Sequence, residues 1–239
     1  MPLLTFVNVY FGGIMLDTIL NALEYIAYLA VRLSSGMLTS VEIFVLTLLF
    51  SLPLGMVVAF GRMSKNCVVR GITKFYIALM RGTPLMLQLF VIYFGPYYLF
   101  KIPLAAEYRF IAVIIAFSIN YAAYFAEIYR SGIEAMPLGQ YEAAKVLGYG
   151  KAQTFFKIIL PQVIKRVIPP VTNETITLVK DTSLAFAITC PEMFTMAKQI
   201  AAKEATVMPL MVAGLFYFIF NFVVAKLMEF VEKKFAYYR

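Results

Sequence analysis

The chain has 239 residues, of which 62% are apolar and only 14% are charged, and its mean hydropathy is +0.82. Soluble domains carry about 25% charged residues, so this composition excludes a water-soluble globule and indicates a polytopic membrane protein. The net charge of +8 does not indicate a nucleic-acid-binding protein, since basic residues collect on the cytoplasmic side of membrane proteins.

The first 36 residues are open to two interpretations. They are largely apolar but contain Asp17, Glu24 and Arg32. An amphipathic helix lying at the membrane surface is favoured over a further span that would have to carry these charges. Nothing near Met1 has the pattern of a signal peptide, so no cleaved leader is expected.

Five later segments are predicted to cross the membrane, which makes the fold an all-α membrane protein. A span needs about 20 mostly apolar residues. Four uncharged runs meet or nearly meet this requirement: Ile43–Gly61, Gly82–Phe100, Phe110–Ala126 and Ala205–Ala225. A fifth segment, Ile158–Thr189, is interrupted by prolines and by Lys180–Asp181, but a return crossing is needed there.

Two of these spans are predicted to be interrupted at mid-depth. The stretch Arg81–Pro84, "RGTP", breaks one helix, and Pro169–Ser183 breaks another. Because Gly-Pro ends helices, the helix after the first break is expected to end at Gly95–Pro96, which places Arg81 about 20 Å below the outer surface. The alternative is a helix that runs to Phe100, which would place Arg81 at the inner interface. Non-helical backbone at this depth must be buried in protein or line a water-filled cavity, so both breaks are predicted to border a solute site.

Loop charges predict the orientation. The connection 62–74, the loop 145–166 and the C-terminal tail are basic. The positive-inside rule then places the N-terminus outside and the C-terminus in the cytoplasm. Cys67 and Cys190 would lie on opposite sides, so no disulfide is expected, and without His or metal-ligand spacing no metal site is predicted.

The loop between the third and fourth spans contains a short soluble-looking helix. Pro137 suits a first helical turn, and Gly148 can adopt the left-handed conformation that ends a helix. Ala143 and Ala144 leave a smooth face. Such a helix either lies on the membrane surface or fits a groove in another protein.

Four motifs resemble one family. The pattern Glu142, Ala143, Ala144, three residues, Gly148, nine residues and then Ile158-x-Leu160-Pro161 resembles the EAA motif of ABC importer permeases. The stretches "RGTPLMLQLFVIYFG", "NYAAYFAEIYRSGIEAMPLGQ" and "KDTSLA" resemble the polar amino-acid permeases of the histidine, glutamine and arginine type.

This resemblance implies a type I, MetI-like permease domain over residues 37–239, with a cytoplasmic coupling loop at 131–157. Residues 1–36 would be an N-terminal extension. The implied location is the bacterial cytoplasmic (inner) membrane, crossed several times.

The same resemblance implies a function. The chain would be the permease subunit of an ATP-driven importer, forming the pathway for polar or charged amino acids by alternating access. It implies two ABC ATPase subunits, a second permease chain that is identical or closely related, and an extracytoplasmic solute-binding protein. Glu142, Ala143, Ala144 and Gly148 would contact the ATPase.

The chain itself is not expected to be an enzyme. It lacks a GxxxxGK motif followed by Ser or Thr. No catalytic residue and no cofactor bound by this chain are therefore predicted, and the partner ATPase would use ATP and Mg.

Ionisable residues inside a span mark function by default. Arg81 is predicted to bind the solute carboxylate in a bidentate manner, and Asp181 or Glu127 to face an ammonium group. Structural alternatives stay open, because Arg81 could pair with either acid, Glu127 could pair with Arg130, and Asn120 could bond another helix. The remaining polar candidates for solute binding are Thr83, Gln88, Asn120, Tyr124, Thr182 and Ser183.

Two rival functions are less consistent with the sequence. An ion-coupled secondary amino-acid transporter would show inverted repeats and its own set of membrane carboxylates, and no internal repeat is evident. An integral-membrane enzyme would need an evident base, and the chain has no His.

Overall fold

The computed structural model describes the backbone of residues 2–235 and the side chains of residues 19–235. Over these residues the chain forms nine α-helices, one π-helical turn and one 3-10 segment, without any strand, which confirms the all-α prediction. The α-helices are α1 (Pro2–Arg62), α2 (Cys67–Gly82), α3 (Leu85–Phe100), α4 (Tyr108–Glu134), α5 (Leu138–Val146), α6 (Lys151–Gln153), α7 (Leu160–Asp181), α8 (Met193–Glu204) and α9 (Met208–Phe235). The π-helical turn is Thr154–Ile159 and the 3-10 segment is Thr182–Ile188.

Several of the described helices can cross a membrane. By length and composition, α1 from Ile19, α4 and α9 qualify singly, and α2 with α3 qualifies as one span bent by 109°. The predicted fifth crossing is α7, whose 22 residues carry charges near both ends. The four qualifying units correspond to four of the predicted spans, and the crossing by α7 stays a prediction.

Helix α1 runs without a break through the boundary predicted at residue 36. On the N-terminal side of that boundary, Leu29 and Leu33 are fully buried against Met193 and Ala197 of α8. The prediction of a surface helix over residues 1–36 concerns in part residues 1–18, which lie outside the described side chains, and it stays a prediction.

Helix α4 is the centre of the fold. It packs against α1, α2, α3 and α7, and Phe117 and Phe125 are fully buried. Gly55 permits a close approach of α1 to α4, because a Cβ there would lie 2.8 Å from the Phe125 Cβ and 3.1 Å from the Ala122 carbonyl oxygen. A side chain at this position would force the α1–α4 crossing apart.

The predicted break at Arg81–Pro84 is confirmed, since α2 ends at Gly82 and α3 begins at Leu85. The predicted helix end at Gly95–Pro96 is wrong, because α3 continues to Phe100. Pro96 has no N–H to donate to the Ile92 carbonyl, and the Tyr108 hydroxyl of α4 donates to it instead, at 2.9 Å. Arg81 lies in the last turn of α2, on the other side of the bend, so its depth cannot be counted along α3.

The interruption predicted over Pro169–Ser183 does not occur at the prolines, and only its last two residues leave the α-helical geometry. Helix α7 passes through both prolines and changes to 3-10 geometry only at Thr182. Val167 and Thr172, on either side of the prolines, are buried. Neighbouring helices can hold a helix together across a missing hydrogen bond, and α7 lies between α4 and α9.

Candidate solute cavity and coupling knob

A polar cavity of about 380 Å³ lies beside the bend between α2 and α3. Sites for small molecules enclose roughly 300–1,000 Å³, so the volume suits a small solute. Three segments supply the walls: the bend, α4 and the part of α7 that is C-terminal to its two prolines. The lining residues are Thr83, Pro84, Leu85, Asn120, Tyr121, Tyr124, Glu174, Thr177 and Asp181.

Two side-chain amides hold the bend in place. The Gln88 amide nitrogen donates to the Thr83 hydroxyl at 2.8 Å and to the Met80 carbonyl at 3.0 Å. The Asn120 amide nitrogen donates to the same carbonyl at 3.0 Å and to the Gln88 amide oxygen at 2.9 Å. A helix end leaves carbonyl groups without helical partners, and these amides satisfy them. Gln88 therefore lies behind the cavity, and Asn120 borders it while bonding another helix.

The charged groups around the cavity carry no mutual ion pairs. The Tyr121 hydroxyl donates to the Asp181 carboxylate at 2.7 Å. Among the side chains of residues 19–235, neither Asp181 nor Glu174 forms an ion pair. The Arg81 guanidinium lies 5.2 Å from the centroid of the Tyr124 ring, a cation–π contact. The predicted alternative in which Arg81 pairs with Asp181 or Glu127 is thus not the arrangement found.

The loop helix α5 has the predicted ends. Pro137 precedes its first residue, and Gly148 has φ +79°. The Gly148 N–H donates to the Lys145 carbonyl at 3.1 Å, and the Tyr149 N–H donates to the Ala144 carbonyl at 3.0 Å. This pair of bonds is the Schellman arrangement that requires a left-handed residue after the helix.

Residues 138–148, which we name the coupling knob, expose unusual apolar surface. Ala144 is buried, but Glu142 and Ala143 are exposed. Val146 is 88% exposed and Leu147 is 73% exposed. Contiguous exposed apolar side chains beside polar ones mark sites of protein or membrane contact.

The comparisons with known proteins agree with this geometry. The family described as "binding-protein-dependent transport system inner membrane component" matches residues 51–237. This chain belongs to that family. It is therefore a membrane permease of the ABC importer type.

The permease is similar to named amino-acid permeases. It is 35% identical over 204 residues to the L-cystine transport system permease protein TcyB of Bacillus subtilis strain 168, covering 84% of this chain and 86% of the relative. It is 40% identical over 197 residues to the octopine transport system permease protein OccM of Rhizobium radiobacter, covering 77% of this chain and 79% of the relative. A crystal structure described as an amino acid ABC transporter with histidines has 30% identity and a TM-score of 0.79, covering 90% of this chain and 97% of the other.

Five predicted site residues of the permease are not among those that line the cavity: Arg81, Gln88, Glu127, Thr182 and Ser183. Arg81 contacts the lining residue Tyr124, and Gln88 donates to the lining residue Thr83. Glu127 accepts from the Arg130 Nε at 3.1 Å in a pair within α4, as the structural alternative predicted. The Thr182 hydroxyl is fully buried and donates to the Val179 carbonyl at 2.8 Å. The Ser183 hydroxyl donates to the Lys180 carbonyl at 2.7 Å. Their part in solute binding stays a prediction.

The cavity also contains residues that the sequence analysis did not select as site residues. Tyr121, Glu174 and Thr177 are the polar ones. Glu174, Thr177 and Asp181 follow one another at spacings of three and four residues, and such residues share one face of a helix. Applying this spacing to α7, starting from Asp181, would have found the other two.

Proposed function

We propose that this permease is the transmembrane subunit of an ATP-driven importer that carries polar or charged amino acids across the bacterial cytoplasmic membrane by alternating access. Its N-terminus would lie outside and its C-terminus in the cytoplasm. Family membership supports the importer role, and relatives named for L-cystine and octopine support the solute class.

The observation that carries the proposal is the chemistry of the cavity. An amino acid presents a carboxylate and an ammonium group. Arg81 beside Tyr124 supplies a guanidinium for the carboxylate. Asp181 and Glu174, which lack ion pairs among the described side chains, supply acceptors for an ammonium or a cationic side chain. Thr83 and Asn120 supply neutral polar contacts.

An exposed polar stripe on α7 supports a second permease chain. Asn173, Thr177 and Lys180 are all exposed, and their spacing places them on one helix face. Polar residues at membrane depth face protein or a water-filled pathway rather than lipid. A two-fold pair of permeases meeting across this face would enclose such a pathway, and homo-oligomers commonly have this symmetry.

The coupling knob supports two ATPase subunits as the energy source, each receiving one knob. The exposed Val146 and Leu147 suit insertion into a protein groove. From Lys151 the chain is helical through the π-helical turn and α7 up to Asp181. Movement imposed at the knob would pass through the short turn at 148–150 into this helical stretch and so reach the cavity. The permease would bind no cofactor, and the ATPases would use ATP and Mg.

The test is uptake by proteoliposomes that contain the permease with its copurified ATPase subunit and solute-binding protein. Radiolabelled L-arginine, L-glutamine and L-cystine serve as solutes, with ATP, with ADP, or with a proton or sodium gradient alone. We expect ATP-dependent uptake of at least one solute, strongly impaired by Asp181→Asn. The matched control Glu229→Gln removes an exposed carboxylate that pairs with Lys226 and Lys233 far along α9, and it should transport normally. Uptake driven by the ion gradient without ATP would instead identify a secondary transporter.

A further inference from the structure

A small cationic pocket lies between α1 and α8, away from the solute cavity. It encloses about 190 Å³. Its polar lining residues are Arg32 of α1 and Gln199 and Lys203 of α8, and all three are exposed. Its apolar lining residues are Met196, which is half-buried, and Ile200, which is buried. The pocket therefore combines two cations and an amide with an apolar wall, and no carboxylate lines it.

The packing of α1 on α8 keeps the two cations close together. Near one end of the contact, a Cβ on Gly36 would lie 2.8 Å from the Met193 Cα. At the other end, the Tyr25 hydroxyl donates to the Glu204 carboxylate. The two helices are thus joined above and below the pocket, and their backbones hold its cationic side chains in place.

Neither cation is neutralised by another described side chain. The Arg32 Nη1 donates to the Tyr28 hydroxyl at 2.7 Å, which is a neutral partner. Over the part of the chain whose side chains are described, neither Arg32 nor Lys203 forms an ion pair. Two like charges that share a pocket repel each other, so a bound anion would stabilise the pair. A phosphate group suits it, because a guanidinium can bind phosphate through two parallel N–H bonds.

The position of the pocket along α1 indicates which phosphate can reach it. At about 1.5 Å per residue, the helix from Arg32 to Arg62 is about 45 Å long, which matches a bilayer of about 40–45 Å with its headgroups. Glu42 is the only charged residue between these arginines, and at about 30 Å from Arg62 it falls at the edge of the hydrocarbon core. Arg32 therefore lies at the level of lipid headgroups, in the leaflet opposite Arg62.

The surface beside the pocket suits the acyl chains of a lipid. Tyr28, Val31 and Leu38 are 49%, 75% and 61% exposed, and their spacing places them on one side of α1. Tyrosine is enriched where a membrane meets water, and apolar side chains exposed below that level face lipid. A lipid whose phosphate occupies the pocket can thus lay a chain along α1.

We propose that Arg32 and Lys203 bind the phosphate group of an anionic phospholipid, which links the N-terminal part of α1 to α8. In the proposed orientation of the permease, this lipid belongs to the outer leaflet. The proposal does not depend on the solute cavity or on ATP-driven uptake, because it uses only the position of α1 in the membrane and its packing on α8.

The test is native mass spectrometry of the permease purified in detergent, titrated with dioleoyl phosphatidylglycerol and, separately, with dioleoyl phosphatidylcholine. Phosphatidylglycerol should bind more tightly, because phosphatidylcholine has the same phosphate but no net charge. Arg32→Gln and Lys203→Gln should each raise the Kd for the first phosphatidylglycerol roughly fivefold, and the double variant roughly thirtyfold, since basic side chains attract anionic lipid nearly independently.

Lys198→Gln is the matched control. It removes the same charge from the same helix, but the Lys198 ammonium lies 4.9 Å from the centroid of the Phe186 ring and does not line the pocket. Its Kd should equal that of the unchanged permease. Arg32→Lys and Lys203→Arg keep both charges and should keep most of the affinity. Because the exchanged side chains are exposed, all variants should unfold at the same temperature without lipid.

Two results would overturn the proposal directly. One is equal phosphatidylglycerol affinity of the double variant and of Lys198→Gln, and the other is phosphatidylcholine binding as tightly as phosphatidylglycerol. An excess of inorganic phosphate distinguishes the two sources of a phosphate group. If it raises the melting temperature of the permease but not that of the double variant, while both bind phosphatidylglycerol equally, the pocket takes free phosphate and the lipid assignment is wrong.

Discussion

Replacing Gly148 by alanine should weaken ATPase binding through the backbone alone. Gly148 has φ +79°, and a Cβ there would meet nothing within 4 Å, so the added methyl group causes no steric clash within the permease. An L-residue in the left-handed region costs about 1–2 kcal/mol. If the ATPase binds the knob with its helix end intact, the affinity should fall roughly five- to thirtyfold.

The assay is the binding of purified permease in detergent to its ATPase subunit, together with the solute-stimulated ATPase rate of the complex. Gly150→Ala is the matched control, because it adds the same methyl group two residues away, where φ is −70° and the nearest atom to the new Cβ lies 3.7 Å away. Gly148→Asn should restore part of the affinity, since Asn tolerates the left-handed region. Equal affinities for the Gly148→Ala and Gly150→Ala variants would refute the reasoning.

Three further outcomes are expected. Asn66→Ala removes the side chain that caps α2 and should destabilise the permease by about 1 kcal/mol in thermal unfolding. Gly55→Ala should cost about 1–3 kcal/mol in the same measurement, because the new Cβ would lie 2.8 Å from the Phe125 Cβ. A membrane-impermeant maleimide should label the exposed Cys67 only in inside-out vesicles, and the buried Cys190 on neither side.

Each of these three predictions can be checked with a control residue or a contrary outcome in the same chain. Asn66→Asp keeps a capping oxygen and should retain the stability that alanine loses. Gly71→Ala introduces a Cβ with nothing within 4 Å, so a loss equal to that of Gly55→Ala would contradict the packing argument. Labelling of Cys67 from outside intact cells would reverse the proposed orientation.

The sequence predicted those helix ends that depend on local chemistry. The break at Arg81–Pro84 and the left-handed Gly148 follow from the backbone preferences of glycine and proline, which act within a few residues. The wrong predictions at Pro96 and at Pro169–Pro170 concern the same residue type. In those cases the outcome depends on a neighbouring helix: the Tyr108 hydroxyl replaces the bond lost at Pro96, and packing from α4 and α9 surrounds α7.

The cavity could be predicted only in part for a similar reason. Thr83, Asn120, Tyr124 and Asp181 were selected because polar residues inside spans are rare, and all four line it. Tyr121 was not selected, since a tyrosine in an aromatic-rich chain gives no signal until its hydroxyl is seen on Asp181. Which polar groups face each other across three helices is a tertiary property that one-dimensional spacing does not contain.

The tight crossing of α4 and α7 divides α7 into unequal arms. A Cβ on Gly132 would lie 2.3 Å from Val167 Cγ1, which marks the crossing point. At about 1.5 Å per residue, the arm from Leu160 to Val167 is about 10 Å long and the arm from Val167 to Asp181 is about 21 Å. If α7 tilts as a rigid helix about this crossing point, Asp181 moves about twice as far as Leu160 and in the opposite direction.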